Sequence, residues 1–364
     1  MDFIPLKYYF DFFINSALVM MMFTLLHTII LNGNESKVIA FNKIFGLLSF
    51  IILTLYIGLR PLSEYYFVDM RTYADIFRRY QYGAPIFDEG DFGFNLFSFL
   101  LAKVVSLKTY FLICAFLYIA PLYFATKKWF PNYSFFVFFM LFCSFSFYPY
   151  GVNGMRNGIA TSFFILGISY RDKRILMVLW LFISIMFHKS MMLPLVVFTL
   201  ANVYHNTKAY FMGWLASIFL SLTMGGVWVS LFISLGFGDD RLSGYLNASA
   251  DADKFSSTGF RFDFLIYSAL PILMGYYYVF KNNYQNRHYH IILRTYLLCN
   301  AFWVLVIRAN FSNRFAYLSW FLMALVIFYP LFKDHIWKNQ FKKAGYLMLA
   351  YFSVTYILAL ILTK

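Results

Sequence analysis

Charged residues are scarce in this chain of 364 residues, since Asp, Glu, Lys and Arg together make up 13% of it. Hydrophobic residues make up 62%. Soluble domains carry about 25% charged residues, so this composition excludes an ordinary soluble domain and favours a polytopic membrane protein. Negatively charged residues are the scarcer of the two kinds, since the chain has 16 Asp and Glu against 30 Lys and Arg. No basic patch with interleaved stacking residues lies on a soluble face, so we expect no nucleic-acid partner.

Cysteines and familiar catalytic motifs are also few. Cys114, Cys143 and Cys299 lie in apolar segments without paired spacing, which predicts buried small hydrophobes rather than a disulfide or metal site. The chain has no G-x-S-x-G, no H-E-x-x-H and no phosphate-binding P-loop. Two acidic pairs, Asp251/Asp253 and Glu89/Asp91, have the spacing of a divalent-metal pair, but solvated loop acids are the favoured interpretation. We therefore predict no metal and no cofactor.

Long apolar runs dominate the chain and predict an all-α polytopic integral membrane protein with about 11–13 transmembrane helices. We treat residues 1–364 as a single transmembrane domain with no cleaved signal, because no small-residue cleavage site follows the first run. Segment 93–106 is short enough to be re-entrant or interfacial. The predicted spans are 12–31, 44–60, 110–126, 134–149, 157–170, 174–187, 190–204, 209–236, 262–280, 290–308, 314–333 and 345–363.

The two kinds of basic residue follow different rules. With the N-terminus outside, the simple positive-inside count is a tie, yet the predicted cytoplasmic ends carry mostly Lys and the outer ends mostly Arg. An excess of Arg on the translocated face suggests a binding role, because a guanidinium binds phosphate and carboxylate as a fixed fork. Two larger loops fall on that outer face: 61–92, with short helices, and 237–261, a candidate lid.

Arg156 is the most informative of these arginines, because apolar segments flank it on both sides in the sequence. A guanidinium costs several kcal/mol if it enters lipid unpaired. It lies fifteen residues from the charged Arg171, or ~22 Å along a helix, against a hydrocarbon core of ~30 Å. His188 and Arg308 fall at similar depth, which predicts a cavity open to the outside. The alternative is that the outer arginines pair with outer acids: Asp69, Asp75, Asp88, Glu89, Asp91, Asp239 and Asp240.

His188 stands at an outer helix–helix turn, level with Arg156. At neutral pH an imidazole can take a proton from a sugar hydroxyl, so His188 is a candidate base. Capping or packing of the turn is the alternative.

The order of several short motifs resembles the EpsG family, a group similar to the Wzy-type polysaccharide polymerases. The resemblance runs from about residue 44 to 335, and it departs at Asn157, where Gln is expected more often. It rests on GLR at 58–60, VDMRTYADIF, EGDFGFNLF, NGMRNGIA, FHKSMMLPL and SNRFAYLSWF.

The resemblance implies a metal-independent glycosyltransferase that joins undecaprenyl-diphosphate-linked repeat units for O-antigen, capsule or exopolysaccharide. It places the active site on the periplasmic side of the bacterial cytoplasmic (inner) membrane. Its partners would be the lipid-linked oligosaccharide, membrane lipid, a chain-length regulator and a flippase. The candidate residues are His188 and Asp69 as base, with Arg156 also catalytic; Arg156, Arg308, Arg314 and Arg60 for the diphosphate; and Tyr73, Asn157, Tyr150 and Asn313 for the glycan. The candidate tyrosines would otherwise serve as interfacial anchors.

Three other functions suit parts of the same pattern. A flippase for lipid-linked oligosaccharide would also use outward arginines in a polar cavity. A membrane O-acyltransferase would use His188 as its base. A ligase that moves glycan to a different lipid is the nearest chemical neighbour of a polymerase.

Overall fold

The computed structural model describes residues 3–31, 33, 35–87, 90–234, 259–309 and 312–362, and its regular elements there are all helical. The α-helices are α1 (Tyr9–Ile30), α2 (Ser36–Gly58), α3 (Val68–Gln81), α4 (Phe92–Ala102), α5 (Leu107–Trp129), α6 (Ser134–Phe142), α7 (Phe147–Val152), α8 (Met155–Ser169), α9 (Arg174–Phe187), α10 (Met192–Val203), α11 (Thr207–Ser234), α12 (Phe262–Tyr276), α13 (Arg287–Leu305), α14 (Asn313–Trp320), α15 (Met323–Lys333) and α16 (Gln340–Leu362). Short 3₁₀ turns form at Leu6–Tyr8 and Lys189–Met191, and a π turn forms at Tyr277–Lys281.

Seven segments in this part of the chain are long and apolar enough to cross a membrane: Leu6–Ile30, Ser36–Gly58, Leu107–Trp129, Thr207–Trp228, Phe262–Lys281, Asn313–Lys333 and Gln340–Ile361. The all-α polytopic prediction is confirmed, with fewer full-length spans than the expected 11–13. Predicted spans at 134–149, 157–170, 174–187 and 190–204 form the shorter helices α6 to α10. The longest of these, α8, has 15 residues and reaches ~22 Å, against a core of ~30 Å.

The helices group into two compact units, residues 1–192 with 328–364, and residues 193–327. In the first unit α8 packs between α5 and α9, and α8 and α6 are buried along almost their whole length. Hydroxyl groups inside these helices bond to their own backbone, as Thr126 does to Leu122 and Tyr123. Such local bonds satisfy polar atoms where lipid offers no partner.

The segment 61–92 contains the amphipathic helix α3 and leads into α4. α3 buries Tyr73, Phe77 and Tyr80 on one face, while its other face carries Arg71, which pairs with Glu64 and Asp75. Its location outside the membrane stays a prediction. Residues 237–258 of the candidate lid lie outside the described residues.

The second unit is held together by polar bonds between apolar helices. α11 is kinked at Met224, and it packs against α13. The indole of Trp214 donates to the Asn300 side chain at 2.8 Å, and the Asn300 amide donates to Ser319 Oγ at 3.0 Å. These bonds tie α11, α13 and α14 together.

Candidate functional site

One buried carboxylate, that of Asp91, joins three separate parts of the first unit. The Arg156 guanidinium at the start of α8 donates to Asp91 Oδ2 at 2.9 Å. The backbone amide of Lys189 donates to Asp91 Oδ1 at 2.8 Å. His188 Nε2 lies 4.0 Å from Asp91 Oδ2. Asp91 is 5% exposed, whereas the Arg156 side chain keeps 26% of its surface open, so the cluster is reachable from the arginine side.

Local folding explains why these groups meet. Asp91 stands immediately before α4, and its carbonyl accepts the first bond of that helix, from the Asn95 amide. α4 packs on α9, where Gly93 lies so near that a Cβ atom would be 2.6 Å from the Met186 carbonyl oxygen. The end of α9 therefore brings His188 beside Asp91.

Hydrogen bonding assigns the tautomer of His188. The Ser190 amide donates to His188 Nδ1 at 3.2 Å. Because Nδ1 accepts a hydrogen bond there, the neutral ring carries its own hydrogen on Nε2, the atom that lies nearest to Asp91. In this arrangement His188 is a hydrogen-bond donor, and its one lone pair is engaged with the Ser190 amide.

Two predicted glycan-binding residues lie at the same cluster. The Asn157 side-chain oxygen accepts a bond from Ser190 Oγ at 3.1 Å. The Arg156 guanidinium lies 5.9 Å from the Tyr73 ring centre and 6.0 Å from that of Phe94, within cation–π range. Burial raises the pKa of Tyr73, and the nearby Arg156 cation opposes part of that rise.

Asp69 lies one helical turn before Tyr73 on α3 and is half-buried. Its charge raises the Tyr73 pKa in addition to the effect of burial, so Tyr73 lies in the electrostatic field of both Asp69 and Arg156. Within the part of the chain that the structure describes, Asp69 takes part in no ion pair.

Arg60 has different surroundings from those of Arg156. It is 4% exposed, and its guanidinium donates to the carbonyls of Ile57 and of Val152, the latter at 3.0 Å. Burial lowers the Arg60 pKa to about 10, so the group remains a cation at neutral pH. These bonds join the end of α2 to the end of α7. The next helix, α8, carries Arg156. A diphosphate-binding role for Arg60 stays a prediction.

The other predicted residues have surroundings of their own. Tyr150, on α7, is 4% exposed. Arg308 and Arg314 belong to the second unit and are exposed, and Asn313 begins α14 there. The Arg308 guanidinium lies 5.8 Å from the Phe260 ring centre. The structure thus brings Arg156, Asn157, His188 and Tyr73 together, and the roles of Tyr150, Arg308, Asn313 and Arg314 stay predictions.

Asp91 is the residue that sequence reasoning did not select. The sequence places it only among the outer acids and in the pair with Glu89, and the signal that could have found it is its place in the EGDFGFNLF motif. In the described residues no group of three or more His, Cys, Asp or Glu side chains is placed to hold a metal ion. Glu89, Asp251 and Asp253 lie outside the described residues, so metal independence stays a prediction.

Comparison with known protein families gives one match, to a model described as the EpsG family, over residues 43–364. This range covers α3, α4 and α8 and therefore the whole Asp91 cluster. Searches of curated proteins and of solved structures give no match.

Proposed function

The chain belongs to the EpsG family, whose members are membrane proteins of the polysaccharide-polymerase type, and we propose that it polymerises lipid-linked oligosaccharide. In this proposal it joins undecaprenyl-diphosphate-linked repeat units on the extracytoplasmic side of the bacterial cytoplasmic membrane. The growing chain on one lipid diphosphate is the donor, and a new lipid-linked repeat unit is the acceptor. The donor is already activated, so the reaction needs no nucleotide.

The observation that carries the proposal is the partly open guanidinium of Arg156, held 2.9 Å from Asp91 at the end of an apolar helix. Negative charge develops on the diphosphate as it leaves, and a cation held in position stabilises that charge most in a site of low dielectric. The planar fork of arginine binds phosphate oxygens in pairs. Asp91 holds the fork in place through one nitrogen, Nη1.

The proposed step moves one glycosyl group. A hydroxyl oxygen of the acceptor sugar forms a bond to the anomeric carbon of the donor, and the bond from that carbon to the diphosphate oxygen breaks. The electron pair of the broken bond leaves on the lipid diphosphate, where Arg156 binds it. The hydroxyl proton passes to a protein base.

Asp69 is our choice for that base over His188. The accepting nitrogen of His188 is engaged with the Ser190 amide, while the Asp69 carboxylate has no ion pair among the described residues and shares α3 with Tyr73. His188 then serves as a donor from Nε2, and Asp91 serves as a positioning residue for both Arg156 and His188.

The test uses the full-length protein in nanodiscs with a polyprenyl-diphosphate-linked repeat unit, and gel separation of the glycan products. Wild type should give a ladder of multiples. Arg156→Lys keeps the charge but loses the fork, and we expect a fall in rate on the order of 10²–10³-fold, as for removal of one donor to a developing anion. Arg71→Lys is the matched control, because Arg71 forms only exposed ion pairs. It should keep the ladder.

The products separate this proposal from the alternatives. Intact oligosaccharide that crosses a vesicle membrane without growing would indicate a flippase. Glycan that appears on a different lipid would indicate a ligase, and acylated glycan would indicate an acyltransferase. A full ladder from Arg156→Lys would contradict the role proposed for that residue.

A further inference from the structure

A second polar site lies in the first unit, away from the Asp91 cluster. A cavity of about 770 Å³ opens where the end of α1, the residue before α6, the end of α15 and the start of α16 come together. Aromatic and aliphatic side chains form part of its wall, including Ile29, Tyr133, Phe332 and Phe341. Tyr133 donates from its hydroxyl to the Gly33 carbonyl at 3.1 Å and so ties two of these segments together.

The charge in this cavity is mostly positive. Lys333, Lys338 and Lys342 line it, and Asp334 is the one acid among the described lining residues. Lys333 donates to the Trp129 carbonyl at 3.2 Å. Lys338 and Lys342 are exposed, and no ion pair to either forms among the described residues. Two exposed ammonium groups therefore face a cavity lined by three lysines and by one described carboxylate, that of Asp334.

The loop that carries these lysines is held in shape by Gln340. Its side-chain oxygen accepts from the Ile336 and Trp337 amides, and its nitrogen donates to the Leu331 and Asp334 carbonyls. Gln340 is 9% exposed. All four bonds anchor the segment between α15 and α16, so the lysines extend from a fixed backbone.

The helix α1, whose Thr28 and Ile29 line the cavity, also carries exposed apolar side chains. α1 and α16 pack on each other, and Gly345 lies so close to Thr28 that a Cβ atom would overlap its hydroxyl. This contact adjoins the cavity, because Thr28 is one of its lining residues. Beyond it α1 exposes large apolar side chains, among them Phe23 at 64% and Ile30 at 73%. These residues belong to the segment Leu6–Ile30, which is long and apolar enough to cross a membrane.

From the juxtaposition of the Lys338/Lys342 cavity with the exposed apolar face of α1, we propose a binding site for an anionic phospholipid. Its phosphate-bearing headgroup occupies the cavity, and its acyl chains follow α1. Basic residues near a membrane surface bind anionic lipid through charge. The apolar face selects a lipid over a soluble phosphate, because only a lipid fills both parts of the site.

The experiment is native mass spectrometry of the purified full-length protein, titrated with phosphatidylglycerol or phosphatidylcholine. Wild type should retain phosphatidylglycerol preferentially. Lys338→Gln with Lys342→Gln should weaken that binding by about fivefold for each lysine removed. The matched control is Lys37→Gln with Lys43→Gln: it removes the same charge from exposed positions at the start of α2, and neither lysine lines the cavity. It should leave binding unchanged.

Three outcomes would overturn the proposal. Equal weakening by both double variants would show general surface attraction. Equal retention of the two lipids by wild type would show no headgroup selection. Displacement of phosphatidylglycerol by millimolar inorganic phosphate would assign the cavity to a soluble anion. A Lys338→Arg, Lys342→Arg variant keeps both charges and should keep the lipid, which separates loss of charge from a folding defect.

Discussion

At the scale of single residues, Arg156 combines an ion pair to a buried acid with a side-chain surface that stays partly exposed. Its Nη1 is bound to Asp91, yet a quarter of its side chain stays open. An isolated guanidinium at this depth would cost several kcal/mol, and Asp91 offsets that cost when no substrate is bound. In the proposed reaction, a substrate diphosphate would therefore meet a cation that is already oriented.

Substitution of the two candidate bases separates their roles. Asp69→Asn should lower the polymerisation rate 10²–10⁴-fold, on the order expected for loss of a general base. His188→Gln should retain more activity, because the Gln amide can replace the Nε2 donor. Rates come from the growth of the product ladder, with Asp75→Asn as the control on the exposed face of α3. The opposite order of effects would return the base to His188.

At the scale of elements, the contact of α4 with α9 positions the site. α4 is only 11 residues long, but it follows Asp91 directly, and its Gly93 meets the backbone at the end of α9. Any movement of α4 away from α9 carries Asp91 away from His188 and from the Lys189 amide. The short helices between the full-length spans therefore serve to place side chains.

A single methyl group tests this contact. Gly93→Ala places a Cβ 2.6 Å from the Met186 carbonyl oxygen, so α4 must shift, at a cost of about 1–3 kcal/mol in unfolding free energy. We expect a lower thermal unfolding midpoint in detergent and loss of polymerisation. Gly213→Ala on α11 is the control, because nothing lies within 4 Å of its added Cβ. Equal behaviour of the two variants would contradict the positioning role of α4.

At the scale of the whole molecule, the distribution of Lys and Arg predicts on which side of the membrane each of the two proposed sites lies. The cavity with Lys338 and Lys342 belongs to the Lys-rich, predicted cytoplasmic set. The helix α3, with Arg71, Arg78 and Arg79, belongs to the Arg-rich, predicted outer set. The proposed polymerase and lipid sites would then face opposite sides of the membrane.

Cysteine labelling tests this orientation. The native residues Cys114, Cys143 and Cys299 are all buried, which keeps the background low. Tyr82→Cys replaces a side chain that is 90% exposed after α3, and a membrane-impermeant maleimide should label it in intact cells. Lys342→Cys should be labelled only after the membrane is permeabilised. The reverse pattern would place the Asp91 cluster on the cytoplasmic side.

The sequence by itself determined the all-α membrane class, because apolar runs separated by charged turns allow little else in lipid. It also singled out Arg156 and His188. A polar group inside or at the end of an apolar run costs free energy unless it is paired or binds a ligand. All seven full-length spans correspond to predicted runs. The other five predicted runs, 134–149, 157–170, 174–187, 190–204 and 290–308, form α6 to α10 and α13. Hydropathy alone does not separate such helices from full-length spans, because it scores burial in lipid and in a protein core alike.

Tertiary structure alone decided the partner of Arg156. Asp91 is 65 positions away in sequence, and Asp88 and Glu89 lie within three residues of it. Packing of α4 on α9 selected it. The tautomer of His188 likewise depends on one backbone amide in the turn after α9. Composition and periodicity report how often a residue type is buried, whereas the distance between side chains depends on how helices far apart in sequence pack together.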